Sequence, residues 1–396
     1  MQGIKYFPQD LNIKGKKIIV RVDLNVPFKN KKIQDFTRIE QVLPFLQSLI
    51  RKKSKIILIS HLGRPKGIRN SDLSLLPIYK YLKEKLNTNM YFYTGEINDE
   101  LKVKSSYLKE SEILLIENIR FFKGEEENDE VFAKKIASLG EIYINDAFSC
   151  SHRKQASIHG ITKFIKNSYG GPLLKKEVDA IDLILKNKKK PITCIIGGSK
   201  VSSKINVILN LIKQIDKIVI VGAMANNFLS YKGFKIGKSL IEKNSENIIK
   251  KIYEEAKIHN CEIIMPLDYS VSTSLNGACS TKDDGSIDSN DIILDIGPKT
   301  INIIENIIDK TNTILWNGPA GYFENPNFAK GSIEIAKKIT EKNKANTIYS
   351  VAGGGDTVAL LNSVDAVNDF NFISTAGGAF LEYLEGKELP GIKALN

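Results

Sequence analysis

Sulfur is scarce in this chain, which has four cysteines, Cys150, Cys194, Cys261 and Cys279, in 396 residues. They lie too far apart for a zinc motif and are too few for a disulfide framework, so a reducing compartment is expected. No apolar run approaches the roughly 18 residues of a membrane span. The opening stretch MQGIKYFPQDLNIKGKK has no apolar h-region of the signal-peptide kind, and the expectation is a soluble, cytoplasmic protein. Both standard nucleotide signatures, G-x-x-x-x-G-K-[ST] and G-x-G-x-x-G, are absent, which removes the main support for a P-loop ATPase or an ordinary dehydrogenase. There is no long basic tail or arm, although the formal charge is +12. Lysine is scattered, as on a solvated surface, so nucleic acid is not expected as the main partner. The milder inference is a net field that attracts small phosphorylated anions.

What the chain does have is a series of short β-branched runs, each ending in a polar cluster. In the first half these read IIVRVDLN, IILISHLGR, ILLIENIRF and IYINDAFSCSHR; in the second, ITCIIGGSK, KIVIVGAM, TILWNGP, TIYSVAGGGDT and FISTAGGA. Runs of this kind are buried parallel strands. Open α/β sheets bind ligands just beyond the carboxyl ends of their strands, where these clusters fall. Helix-period segments lie between the runs. The clearest places Ile39, Val42, Leu43, Leu46, Leu49 and Ile50 on one face, behind a T-x-x-E capping box at Thr37 and Glu40, with a bend at Pro44.

Length alone favours two domains over one. The strand–helix rhythm repeats in both halves, and the expected fold is α/β, two Rossmann-like doubly wound parallel-sheet lobes joined by a helix hinge. The boundary falls at GPLLKKEVDAIDLILKNKKKP, where Leu173, Leu174, Val178, Ile181 and Leu185 pattern a helix that Pro191 ends. This places a first lobe at 1–171, a connecting helix at 172–190 and a second lobe at 191–379. The stretch STKDDGSIDSND, 280–291, reads as a surface loop, and the acidic GEEENDE, 124–130, as a solvated helix start.

In the second half, GGGDT at 353–357 stands between a strand and a helix, so amides of Gly354 and Gly355 can approach phosphate oxygens and Asp356 can hold Mg²⁺ between them. Taken alone, the segment reads sooner as a tight turn with Asp356 as a simple N-cap, and the second candidate at 197–204 changes that balance. GGSKVSSK at 197–204 adds Lys200 and Lys204, i and i+4 on one face of the helix expected after the glycines, two cations able to offset charge on a transferring phosphoryl group. WNGPAGYFE puts Asn317 at a third strand end, with Glu324 following as a possible ribose acceptor or a plain exposed carboxylate. The first half offers Arg21, Asp23, Asn25, Arg38, His61, Arg64, Arg120, His152 and Arg153, all but Arg38 on or just after strand ends. Arginine forks bind phosphate and carboxylate. Without glycine-rich cradles, this half suits a small, doubly anionic ligand better than a nucleotide. A carboxylate acceptor is already ionised at neutral pH and needs no general base, which matches a site rich in cations with one obvious acid, Asp23.

RVDLNVP, SHLGRP, ENIRF, SHR-x-QAS-x-HG, GGSKVSSK, WNGP, GGGDT and STAGGA, in that order, together resemble phosphoglycerate kinase, and the likeness runs from about residue 4 to LEGKELPGI near the C-terminus. The resemblance implies reversible phosphoryl transfer between 1,3-bisphosphoglycerate and ADP, giving 3-phosphoglycerate and ATP, with Mg²⁺ on the nucleotide. It implies Asp23, Asn25, Arg38, His61, Arg64, Arg120 and Arg153 around the phosphoglycerate. Lys200, Lys204, Asn317, Glu324, Gly354, Gly355, Asp356 and Thr357 fall on the nucleotide side. Arg38 and Lys204 would bracket the phosphoryl group in flight, assisted by amides near Gly377 and Gly378. It also implies a monomer whose lobes close at the hinge and whose tail, 380–396, returns to the first lobe. Three positions depart from the commonest family pattern, where Val221, Ala376 and Ser149 stand in place of glycines. Altered nucleotide affinity is the most these should cause. Two other classes remain open on residues alone: a binding protein that keeps the fold without turnover, and a nucleic-acid binder drawing on the net charge.

Overall fold

The computed structural model describes residues 3–29, 32–186 and 189–396. They form two compact units, one running to Val178 and resumed at Glu388–Asn396, the other Asp179–Lys387.

In the first unit the β-branched runs are strands β1 (Lys17–Val22), β2 (Lys55–Ile59), β3 (Met90–Tyr93), β4 (Ile113–Ile116), β5 (Ile142–Asp146) and β6 (Ser168–Gly170). They pair in parallel in the order β3-β4-β2-β1-β5-β6. Ile18, Val20, Ile56, Leu58, Ile113 and Ile144 are buried in its core, as expected for strands covered on both faces. Helix α1 (Thr37–Arg51) buries Ile39, Val42, Leu43, Leu46 and Leu49, and runs unbroken through Pro44. Its start is not a capping box: Thr37 is the first helical residue, its hydroxyl donates to Asp35, and Glu40 accepts from the Tyr81 hydroxyl.

In the second unit, β7 (Ile192–Ile196), β8 (Lys217–Ile220), β9 (Glu262–Ile264), β10 (Thr313–Asn317), β11 (Tyr349–Gly353) and β12 (Phe372–Ser374) form a parallel sheet in the order β9-β8-β7-β10-β11-β12. Counted within the unit, this is the 3-2-1-4-5-6 order of doubly wound nucleotide-binding sheets, with its switch point between β7 and β10. A separate antiparallel sheet joins Asp268–Ser272 to Ser280–Asp283 and Ile292–Ile296. The segment 280–291 is therefore partly an edge strand rather than a loop, polar because three of its four strand residues face solvent.

Helix α2 (Pro172–Leu185) links the units in sequence. It ends five residues before the expected 190, and positions 187 and 188 lie outside the described residues. Its first turn is fixed by Asp146 at the end of β5, whose Oδ1 accepts from the amides of Leu173 (2.6 Å) and Leu174 (3.0 Å), satisfying donors that a helix start leaves open. At the other end of the chain, the return to the first unit begins at Glu388, not 380. Helix α5 (Gly378–Leu384) stays in the second unit because the Phe380 ring packs against Gly353, where a Cβ would collide with it, and Asn210 donates to the Leu384 carbonyl. Beyond Glu388, the Gly391 amide donates to Ser151 and the Lys5 amide to Leu395.

Candidate active site

In the first unit the polar residues gather at the carboxyl edge of the sheet. Asp23, just past β1, accepts from Arg38 Nη1 at 2.7 Å and from the amide of Asn25 at 2.9 Å. The same Arg38 nitrogen donates to the Asn25 carbonyl, and Asn25 Oδ1 accepts from the Gly63 amide. Arg120, on a short turn after β4, donates to the Gly63 carbonyl at 2.8 Å. Arg153 donates to His152 Nε2. His61 is buried, and its pKa lies well below the usual imidazole value because of burial first, then the guanidinium groups of Arg21, Arg120, Arg38 and Arg153. Of these, Arg21 is in direct contact, its Nη2 3.3 Å from His61 Nδ1. Arg64 is exposed at the rim.

Beneath this layer lies a network that the sequence reading missed. Arg21 is fully buried, and its Nε donates to Ser157 Oγ at 2.9 Å. Ser157 in turn donates from both Oγ (2.6 Å) and N (2.8 Å) to the carboxylate of Glu125. Glu125 belongs to the acidic run read as solvated, yet it is completely buried. Burial raises its pKa against the pull of Arg21. The available signal was Ser157 in the QAS motif, but nothing in local pattern pairs it with a carboxylate 32 residues earlier.

In the second unit the site is built from turns at adjacent strand ends. Gly318 has φ +102°, and a Cβ there would fall 2.4 Å from the Gly197 carbonyl oxygen, so only glycine lets these two turns touch. The Gly318 amide donates to Thr357 Oγ1 at 2.7 Å, and Asn317 Nδ2 donates to the Gly353 carbonyl at 2.6 Å. Thr357 and Asn317 thereby stitch β10 to the next turn. Gly354, with φ +101°, caps helix α4 (Gly355–Ser363), whose first turn carries Asp356, exposed. Gly353 pairs with Ser374, which sets the turn at Gly377 and Gly378 beside it.

Lys204 and Lys200 do not share a helix face. The helix that follows the glycines, α3 (Ile205–Ile212), begins only after Lys204, because 198–201 is irregular and 202–204 is a turn, and Lys200 lies exposed in the irregular part. Lys204 donates to the carbonyls of Gly197 (2.7 Å) and Asn317 (3.2 Å) and to Asn317 Oδ1. Burial lowers its pKa to about 8, with Cys194 and Asp356 pulling it back up. An open cavity of about 300 Å³ adjoins these turns, lined among others by Gly198, Ala223, Leu240, Pro319, Glu324 and Asp356. Among the described residues no cluster of His, Cys, Asp or Glu forms a protein cage for a metal. One exposed carboxylate beside a phosphate-sized turn fits the mode in which Mg²⁺ is shared between one or two carboxylates and substrate phosphates.

None of Val221, Ala376 and Ser149 occupies a positive-φ position. Val221 packs in the core with Val219 and Trp316, and the Ser149 hydroxyl donates to Asp23.

The chain matches the family model described as phosphoglycerate kinase over residues 8–387. It is 41% identical to phosphoglycerate kinase of Chelativorans sp. (strain BNC1), over 100% of both chains, and 42% identical to that of Rhizobium meliloti (strain 1021), over 97% of this chain and 96% of the relative. Among solved structures it is similar to phosphoglycerate kinase from Coxiella burnetii, with TM-score 0.91 and 38% identity, covering 98% of this chain and 97% of that one. The enzyme from Pyrococcus horikoshii OT3 gives TM-score 0.78 at 29% identity, covering 98% of each chain.

Proposed function

The chain belongs to the phosphoglycerate kinase family, and from that premise we propose how its two polar sites divide the work. The reaction is the family's: reversible phosphoryl transfer between 1,3-bisphosphoglycerate and ADP, giving 3-phosphoglycerate and ATP, a step of glycolysis. In our reading the first unit holds the phosphoglycerate. Arg64, Arg120 and Arg153 with His61 take its phosphate, and Arg38, steadied by Asp23 and Asn25, takes its carboxylate. The nucleotide enters the cavity of the second unit, with Glu324 toward its ribose and its phosphates on the turn at Gly354–Thr357 beside Lys200 and Lys204, where Asn317 holds Lys204 in place. Asp356 would hold Mg²⁺, which when bound neutralises phosphate charge.

In the direction of ATP use, a carboxylate oxygen of the acid forms the new bond to the γ-phosphorus while the bond to the bridging oxygen breaks and ADP leaves. Arg38 on one side and Lys204 on the other, with amides at Gly377 and Gly378, stabilise the charge that develops on the moving group. No proton needs to be abstracted. The observation that carries this reading is the commitment of Asp23: the carboxylate that Arg38 reaches is already bound by Arg38 and Ser149, so it is spoken for as an orienting group and not as a base. Movement about α2 brings the substrates in line and excludes water.

The reading extends to a monomeric, cytoplasmic enzyme acting on small molecules, without membrane or nucleic-acid partners. It draws support from the finding that no helix among the described residues is long and apolar enough to cross a membrane. The experiment is ATP consumption with 3-phosphoglycerate and Mg²⁺, coupled to a dehydrogenase that consumes the acyl phosphate. Turnover that requires all three components supports the reading, and nucleotide binding without turnover would reduce the chain to a binding protein.

A further inference from the structure

Arg21 stands among the arginines of the phosphoglycerate site, but its guanidinium is spent on the protein itself. Nε goes to Ser157 Oγ, Nη1 to the Val22 carbonyl, and Nη2 lies 3.3 Å from His61 Nδ1 and 3.8 Å from Cys150 Sγ. Its counter-charge is the buried Glu125, reached through Ser157, whose own carbonyl accepts from the Tyr143 hydroxyl at 2.6 Å. A guanidinium has donors and no acceptor. Facing Arg21, His61 Nδ1 must therefore present its lone pair, and the ring proton of a neutral imidazole must sit on Nε2. The groups facing the ring are Arg21, Arg38, Arg120 and Arg153, with Asp23 Oδ1 at 4.0 Å and Cys150 Sγ at 3.7 Å from Nδ1. Four guanidiniums act on the ring, and its nearest carboxylate, Asp23, is itself bound by Arg38, which disfavours a second proton on the ring.

We propose that Arg21 is a positioning residue: it locks His61 as the neutral Nε2–H tautomer, so that the ring always offers the phosphoglycerate a donor and never a lone pair. The Glu125–Ser157 pair is what makes a buried arginine tenable there. The tautomer concerns the protein alone, whereas its benefit to the substrate rests on the reading of His61 as a substrate contact.

The test is nitrogen-15 NMR of histidine-labelled full-length protein, with the His61 signals identified by their loss in His61→Gln. The expected wild-type pattern is an unprotonated Nδ1 and protonated Nε2, unchanged between about pH 5.5 and 8.5 where an ordinary imidazole titrates. Arg21→Met combined with Glu125→Gln, which strands no buried charge, should give a mixed tautomer that titrates and should raise KM for 3-phosphoglycerate about two- to fivefold, the cost of drawing the Nε2–H form from a mixed population, with a smaller change in kcat. A second pair needs no change at Arg21. Gln at position 61 can place an amide donor near the Nε2 position and Asn near Nδ1, so His61→Asn should raise KM several-fold more than His61→Gln. An Nδ1–H or doubly protonated ring in the wild type would overturn the proposal, as would an Arg21 variant that raises KM with the tautomer untouched, which would make Arg21 a direct ligand. The expected tautomer together with equal KM values for the Asn and Gln variants would overturn the substrate role of His61 instead.

Discussion

In the proposed reading the two units meet the same problem, holding phosphate oxygens, with opposite materials. The first uses long side chains: Arg38, Arg120 and Arg153 surround His61, held by Asp23, Asn25, Gly63 and His152, over a buried floor of Arg21, Ser157 and Glu125. The second uses backbone: Gly318 and Gly354 at positive φ bring turns from neighbouring strands together, and Lys204 is drawn in among them. A site of charges must be braced by other charges, because like groups repel and each long side chain loses freedom when fixed. A site of turns is braced by the sheet itself, and its weak point is volume.

Five substitutions and one pH profile probe that contrast, taken from the largest expected effect to the smallest. Glu125→Ala leaves Arg21 buried without its counter-charge, and unfolding free energy should drop by about 3–5 kcal/mol in urea titrations followed by circular dichroism. A loss under about 1 kcal/mol, as for a surface residue, would show that the floor is not braced by charge. Arg38→Ala should lower kcat on the order of 10²-fold, since its charge acts on the transition state; if KM alone rises, Arg38 is only a clamp. Gly318→Ala sets a methyl group against the Gly197 carbonyl, and strain of about 1–3 kcal/mol should weaken ADP binding about tenfold or more in calorimetry while leaving 3-phosphoglycerate binding alone. Unchanged ADP affinity would mean the backbone approach is dispensable.

The pH profile concerns Lys204, lowered by burial to about 8. Protonated below that value and neutral above it, the free enzyme should lose kcat/KM for nucleotide as pH rises past about 8, tenfold per unit at most. Lys204→Arg should remove that limb, because arginine stays charged. The stability linkage has the opposite sign. The unfolded lysine titrates near about 10.4, so between about 8 and 10.4 the unfolded state binds more protons and the destabilising cost of burying this charge, complete below 8, fades as pH rises. A profile flat to pH 9.5 would place the charge elsewhere. Smallest of all, Ser149→Gly should raise the KM for 3-phosphoglycerate about two- to fivefold, the worth of one ordinary hydrogen bond to Asp23, and an increase beyond tenfold would make Ser149 a full member of the site.

The second site was the easier of the two to see in the sequence. GGGDT and WNGP announce their turns locally, since a strand, glycines and a helix follow one another within a few residues, and the same holds for the strand-end arginines. What could not be seen is set by distance along the chain. The acidic run at 124–130 looks uniform, and only the approach of Ser157 singles out Glu125 as buried. Thr37 and Glu40 have the spacing of a capping box, but Asp35 and Tyr81 offered competing partners. Lys200 and Lys204 have the spacing of a helix face, but the glycine turn continues until Lys204 and uses up the residues between them. The polar stretch at 280–291 lacks any apolar alternation, so its edge strand left no trace.

The nine-residue return at Glu388–Asn396 has a consequence for synthesis. A ribosome delivers the whole of 179–387 before it delivers the residues that lie against Ser151 and Lys5, a wait of roughly 10–40 s at about 5–20 residues per second. The unit that is started first is thus completed last. Throughout that interval the neighbours of Gly391 and Leu395 stand uncovered on the nascent chain, open to chaperones, while the second unit has already been made.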